Sequence, residues 1–132
     1  MDLLTARLRQ ALLANGDHRA RRDPDPVPVV KFFAPCGAAT WLATELDADG
    51  DTLFGLADLG VGCPELGSFS LAELASVRLR FGLRIERDRY FATGHSLLEW
   101  AEAARSAGSI LAAARRLRRA AATSGLSDPS GD

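Results

Sequence analysis

The tightest constraint in this chain is a pair of β-prone runs, TWLATEL and TLFGLADL, held apart by DADGD. Asp49-Gly50 supplies the positive φ values that a two-residue hairpin turn requires, so the runs are expected to pair antiparallel. With those residues as the turn, Leu46 stands opposite Leu53, Glu45 opposite Phe54 and Trp41 opposite Asp58. Side chains alternate along a strand, which gives the hairpin two faces. Leu42, Thr44, Leu46, Leu53, Ala57 and Leu59 make one face suited to a core. Trp41, Ala43, Glu45, Phe54, Leu56 and Asp58 make a mixed aromatic and acidic face expected to point outward. A longer loop, or a slip of one residue, changes this register, and the slip exchanges the faces.

The segments around the hairpin supply its partners. Asp2 to Ala14 reads as a helix, with Leu4, Leu8 and Leu12 at helical spacing, Asp2 as cap and Asn15-Gly16 as stop. The polar, proline-rich DHRARRDPDPVP cannot continue a helix and reads as a surface linker. A first strand is expected over Val27 to Ala34. After the second hairpin strand, GVGCPELGSF reads as a loop in which glycines let the backbone leave the sheet. Ser70 and Glu73, with Phe69 and Leu74 as a hydrophobic staple, then start a helix running to Leu79 and stopping near Gly82. Partial alternation in LRIERDRYF predicts a fourth strand, Leu83 to Phe91. The box Ser96 to Glu99 opens a long alanine-rich helix in which Gly108 is either a close-packing position or a break. Helix, three strands, helix, strand, helix is a single α+β domain over residues 1–122, an antiparallel meander with flanking helices. Residues 123–132 read as a disordered tail.

Composition narrows the function classes. At 132 residues the chain has room for one core without disulfides or metal. No apolar run approaches a membrane span, and the charged N-terminus lacks the pattern of a signal peptide, so the expected location is cytoplasmic. Cys36 and Cys63 are expected to stay free, and no cysteine or histidine cluster has zinc-site spacing. The net charge of −1 is unevenly placed. Glu45, Asp47, Asp49, Asp51, Asp58, Glu65 and Glu73 follow one another without a base, whereas arginines crowd Arg78 to Arg89.

Four motifs invite a chemical reading. DADGD resembles a calcium loop, but its glycine is fourth where the sixth position is needed, and the twelfth position is Asp58. GVGCPELG lacks both the dinucleotide and the Gly-Lys-Ser/Thr spacing, and Glu65 would repel a phosphate. His95 beside Ser96 has no acid placed to orient it, and Ser96 serves better as a helix cap. The basic run ARRLRRAA fits phosphate backbones but lacks interleaved aromatics.

The segments PVVKFFAPCGAATWLATELD, FGLADLGVGCPELGSFSLAEL and GLRIERDRYF together resemble the bacterial family called domain of unknown function 2958. The resemblance spans roughly Met1 to Ile110, with DLGxGxPELG as its distinctive element. It brings no activity, cofactor or catalytic residue to carry over. It implies a setting: small bacterial proteins often encoded on plasmids, phages and other mobile elements, and with that an accessory or counter-defence role.

The leading expectation is a non-catalytic binding protein that needs no cofactor. Trp41, Glu45, Phe54, Asp58 and Glu65 would form an acidic, aromatic surface for a basic protein partner. The rival is a small metal-dependent hydrolase or transferase in which Asp58 and Glu65 converge with Glu45 on a divalent cation. A third reading is nucleic-acid binding through the arginines of the C-terminal helix.

Overall fold

The computed structural model describes residues 2–19 and 23–127, except for the side chains of 122–127. The chain runs α1 (Ala6–Gly16), β1 (Val30–Phe33), β2 (Thr40–Leu46), β3 (Thr52–Asp58), β4 (Glu65–Ser70), α2 (Leu71–Ser76), β5 (Glu86–Arg87), α3 (Leu97–Ala107) and α4 (Ile110–Ser127). The strands form one antiparallel sheet in the order β4-β3-β2-β1-β5. It is the expected α+β domain with flanking helices, and it has one strand more than predicted.

That extra strand is β4. The stretch read as a loop shortens to Leu59–Pro64, and ELGSFS pairs with β3 from Thr52↔Ser70 to Ala57↔Glu65. The free edge of β3 explains it, since its backbone N–H and C=O groups need partners and the next segment of chain supplies them. The predicted fourth strand contracts to two residues, Glu86–Arg87, paired with Phe33 and Phe32.

The β2–β3 register begins as predicted, with Leu46↔Leu53 and Glu45↔Phe54. It then breaks at a β-bulge between Ala43 and Glu45, beyond which Trp41 faces Ala57 and Thr40 faces Asp58. Thr44 is the extra residue. Its carbonyl accepts from Asn15 Nδ2 at 2.8 Å, and its hydroxyl donates to the Phe54 carbonyl at 3.3 Å, so the interrupted ladder leaves it satisfied.

Both faces of the sheet are covered, which corrects the expectation of one outward face. Trp41, Ala43, Leu46 and Leu53 join Val30, Phe32, Leu12, Leu71 and Leu74 in a core beneath α1 and α2. On the opposite face, Leu42 and Leu56 join Leu97, Trp100, Ala104 and Ile110 beneath α3 and α4. Phe32, Leu42, Leu46, Leu53 and Leu56 are fully buried. Each contributes about 1.5–3 kcal/mol relative to exposure.

The helix signals hold with shifted ends. Thr5, not Asp2, caps α1, its hydroxyl accepting from Leu8 N–H. Ser70 caps α2, which ends at Ser76. Ser96 and Glu99 form the predicted reciprocal box on α3. Gly108, at φ 91°, ends α3 in the left-handed conformation and splits the expected single helix in two. Helix α4 continues through Ser127, into the segment read as tail, and residues 128–132 lie outside the described residues. Among the described residues no helix is long and apolar enough to cross a membrane.

Candidate functional site

The five residues expected to form a surface do not share one. Trp41 is 8% exposed and belongs to the core beneath α1 and α2. Phe54 is half-buried and packs against the opposite core, beneath α3 and α4. Glu45 lies opposite Phe54, with His18 Nε2 at 3.5 Å from its carboxylate. Glu65 is exposed at the start of edge strand β4, opposite Ala57. Asp58 is wholly buried.

Asp58 ties three parts of the fold together. One carboxylate oxygen accepts from Gly60 N–H at 2.9 Å, which shapes the turn out of β3. The other accepts from Ile110 N–H at 2.8 Å, at the first turn of α4. A negative charge there satisfies a donor that has no partner within the helix and complements the helix dipole. The carboxylate that looked like a metal ligand is therefore a helix cap supplied from a distant strand. Glu65 shares a sheet face with Ala57 and so points away from Asp58 on the neighbouring position. Glu45 is level with Phe54, four residues along β3 from Asp58, or roughly 13 Å. These three carboxylates do not converge. Among the described residues no group of three His, Cys, Asp or Glu side chains is placed to hold a metal ion.

Much of the acidic run is used in the same way. Asp51 accepts from Ala72 N–H at 2.8 Å and from the Ser70 hydroxyl at 2.7 Å, anchoring the start of α2 to the hairpin. Asp49 accepts from the Thr52 hydroxyl and from the N–H groups of Thr52 and Asp51, and these bonds hold its carboxyl below the usual range. Outside the run, Asp25 caps Leu98 N–H of α3 at 3.0 Å. Glu99 is also lowered, first by the Ser96 N–H and then by His95, 3.4 Å away.

Two adjoining hollows lie elsewhere, between α4 and the segment that follows β5. One hollow of about 470 Å³ is lined by Lys31, Phe33, Glu86, Arg89, Tyr90 and Leu111 among others. A neighbouring one of about 310 Å³ shares Lys31, Asp88 and Tyr90 and extends to Phe91, Ala114, Leu117 and Arg118. The two read as one groove. Its wall is built by Asp88, whose carboxylate accepts from Tyr90 N–H at 2.9 Å and approaches Lys31 Nζ at 3.8 Å. Asp88 N–H also donates to the Lys31 carbonyl, fixing the segment to β1. Further along, Thr93 Oγ1 accepts from the buried indole N–H of Trp100 at 3.0 Å, against which Phe91 packs at a tilt. Tyr90 is left 94% exposed and Leu111 40%. Sequence reasoning passed over this groove, although Lys31 and Tyr90 are the chain's single lysine and single tyrosine. Both cysteines are free, as expected, and both are exposed.

An α+β sheet domain covered on both faces, with an open groove between α4 and the segment after β5 and a further hollow of about 630 Å³ lined by Arg115, Arg116, Arg118 and Arg119 of α4, is what the geometry defines. The chain belongs to the family described as a protein of unknown function, DUF2958, whose model matches residues 3–111. The match ends at the first turn of α4, so Ala114, Leu117 and Arg118 of the groove lie beyond it. No curated protein and no solved structure matches the chain.

Proposed function

We propose that the protein is a non-catalytic binding protein that receives a segment of a partner protein in the α4 groove. The observation that carries this reading is what the groove's polar groups do. Lys31 with Asp88, and Thr93 with Trp100, hold the walls in place; His95, which also lines the groove, is paired with Glu99 at 3.4 Å, and among the described residues no nucleophilic side chain is hydrogen-bonded to that imidazole. Preformed walls with an apolar floor are the usual form of a binding site. Phe33, Leu111, Ala114 and Leu117 supply that floor. Tyr90, Arg89 and Arg118 stand at the rim, and tyrosine and arginine are the residue types that dominate interface energetics. With Lys31 matched by Asp88, Arg89 and Arg118 outweigh Glu86, so the partner segment this site fits is apolar with acidic residues. The mobile-element setting implied by the family resemblance makes an accessory role part of the same proposal.

Selection from a random peptide display library on the immobilised chain tests it. The expected enrichment combines Asp or Glu with Leu, Phe or Trp. Tyr90→Ala and Leu111→Glu should each weaken a selected peptide about 30-fold, the usual effect at an interface anchor. A selection without compositional bias, or peptides that bind both variants as tightly as wild type, removes the reading.

A further inference from the structure

Between α2 and β5 the chain makes a small hairpin that the groove does not involve. Arg78 and Arg84 are bridge partners, Leu79 N–H donates to the Leu83 carbonyl, and Leu83 N–H donates to the Arg80 carbonyl. The turn between them has Phe81 at φ 61°, ψ 25° and Gly82 at φ 72°, both left-handed, the signature of a type I′ turn. Such turns take Asn, Asp or Gly. Phe81 is the one non-glycine residue with positive φ among the described residues, and it is 91% exposed.

Three local rules are broken at this tip. A bulky side chain is held in a conformation that disfavours it, and burial returns nothing for it. Arginines stand directly opposite each other on the two arms, a repulsive pairing. No acid relieves them: among the described residues Arg78 and Arg80 have neither an ion pair nor a side-chain hydrogen bond, and Arg84 reaches only the Ala75 carbonyl at 3.2 Å. Folding explains none of this, and violations concentrated in one place mark a site kept for another purpose.

We propose that this hairpin contacts single-stranded nucleic acid, with the Phe81 ring stacked on a base and Arg78 and Arg80 on the flanking phosphates. An unpaired cationic pair calls for a polyanion, and a flat ring projecting between the charges calls for a flat apolar face. Single strands present both at each nucleotide. A lipid surface fits less well, because Phe81 alone projects while Leu79 and Leu83 are half-buried, and one apolar side chain makes a weak anchor.

Fluorescence anisotropy of a labelled oligothymidylate, titrated with the full chain at low salt, reads the proposal. Phe81→Ala keeps all the arginines and should weaken binding about 5- to 100-fold, while Phe81→Trp restores it. Arg78→Gln with Arg80→Gln should weaken binding and flatten its dependence on salt by about 1.4 in log–log slope. Circular dichroism and melting of each variant establish that it is folded, and replacing an exposed left-handed Phe costs the fold nothing. Absence of oligothymidylate binding by wild type overturns the proposal. So does equal binding by Phe81→Ala, or Phe81-dependent binding confined to phosphatidylserine vesicles.

Discussion

The β2–β3 hairpin and the Arg78–Arg84 hairpin both reverse the chain through positive φ, and they treat local rules in opposite ways. In the first, Gly50 takes the left-handed position, Asp49 gathers three donors, and Asp51 reaches forward to seat α2. The Asp49 and Asp51 carboxylates both have structural partners there. In the second, a phenylalanine occupies the left-handed position and two arginines find no acceptor. A conspicuous run of charge can thus be largely structural, while a short and unremarked one carries surplus chemistry. What separates them is whether the fold already consumes the groups.

That contrast can be attacked from its strongest side first. Removing Asp58 should cost most, because Asp58→Ala strands the buried Ile110 N–H, frees the Gly60 N–H and empties a wholly buried position. The expected loss is about 3 kcal/mol, a fall in melting temperature of about 10 °C. A melting curve close to wild type would show that the acidic run is less structural than its bonds imply. Asp51→Ala removes one cap from a half-exposed position and should cost about 1 kcal/mol by urea unfolding. For the second hairpin the sign reverses. Phe81→Asn places a residue that tolerates the left-handed region and should stabilise the domain by about 1 kcal/mol. A destabilised Phe81→Asn would mean that the ring packs somewhere and that the tip is structural after all.

The smallest effect is in the pH dependence. Asp49 and Glu99 titrate below the ordinary carboxylate range because donors favour their charged forms. Their contribution to stability is therefore complete above the unfolded-state value and fades as pH falls through the lower folded-state value. Carboxyl carbon chemical shifts followed by NMR should show both midpoints depressed, and removal of the Thr52 hydroxyl by Thr52→Val should move that of Asp49 upward.

What could be read from sequence was whatever depends on near neighbours. The chain reversal, the first two register pairs and the Ser96–Glu99 box are settled within a few residues, although the turn closes from Asp47 to Gly50 through the Gly50 N–H on the Asp47 carbonyl and only Gly50 of the expected pair has positive φ. The bulge was illegible because the acceptor left over at Thr44 is satisfied by Asn15, 29 residues away. Asp58 was misjudged for the same reason, since its second partner lies 52 residues along the chain. ELGSFS carries too weak a strand signal to announce β4, and only the open edge of β3 draws it into the sheet. The groove draws Lys31 from β1, Asp88 and Tyr90 from the segment after β5, and Arg118 from α4, a gathering that no spacing rule anticipates.

The bulge at Thr44 also decides which side chains of this strand meet which core. Drawing Thr44 into the ladder at unchanged strand length would remove the bulge, and in doing so would turn Trp41 and Ala43 toward α3 and α4 and Leu42 toward α1. Two cores would have to be rebuilt together. The tolerated length changes are accordingly loss of Thr44 itself, which leaves Ala43 opposite Gly55 and Glu45 opposite Phe54, and changes in the exposed Leu59–Cys63 stretch, since neither exchanges faces.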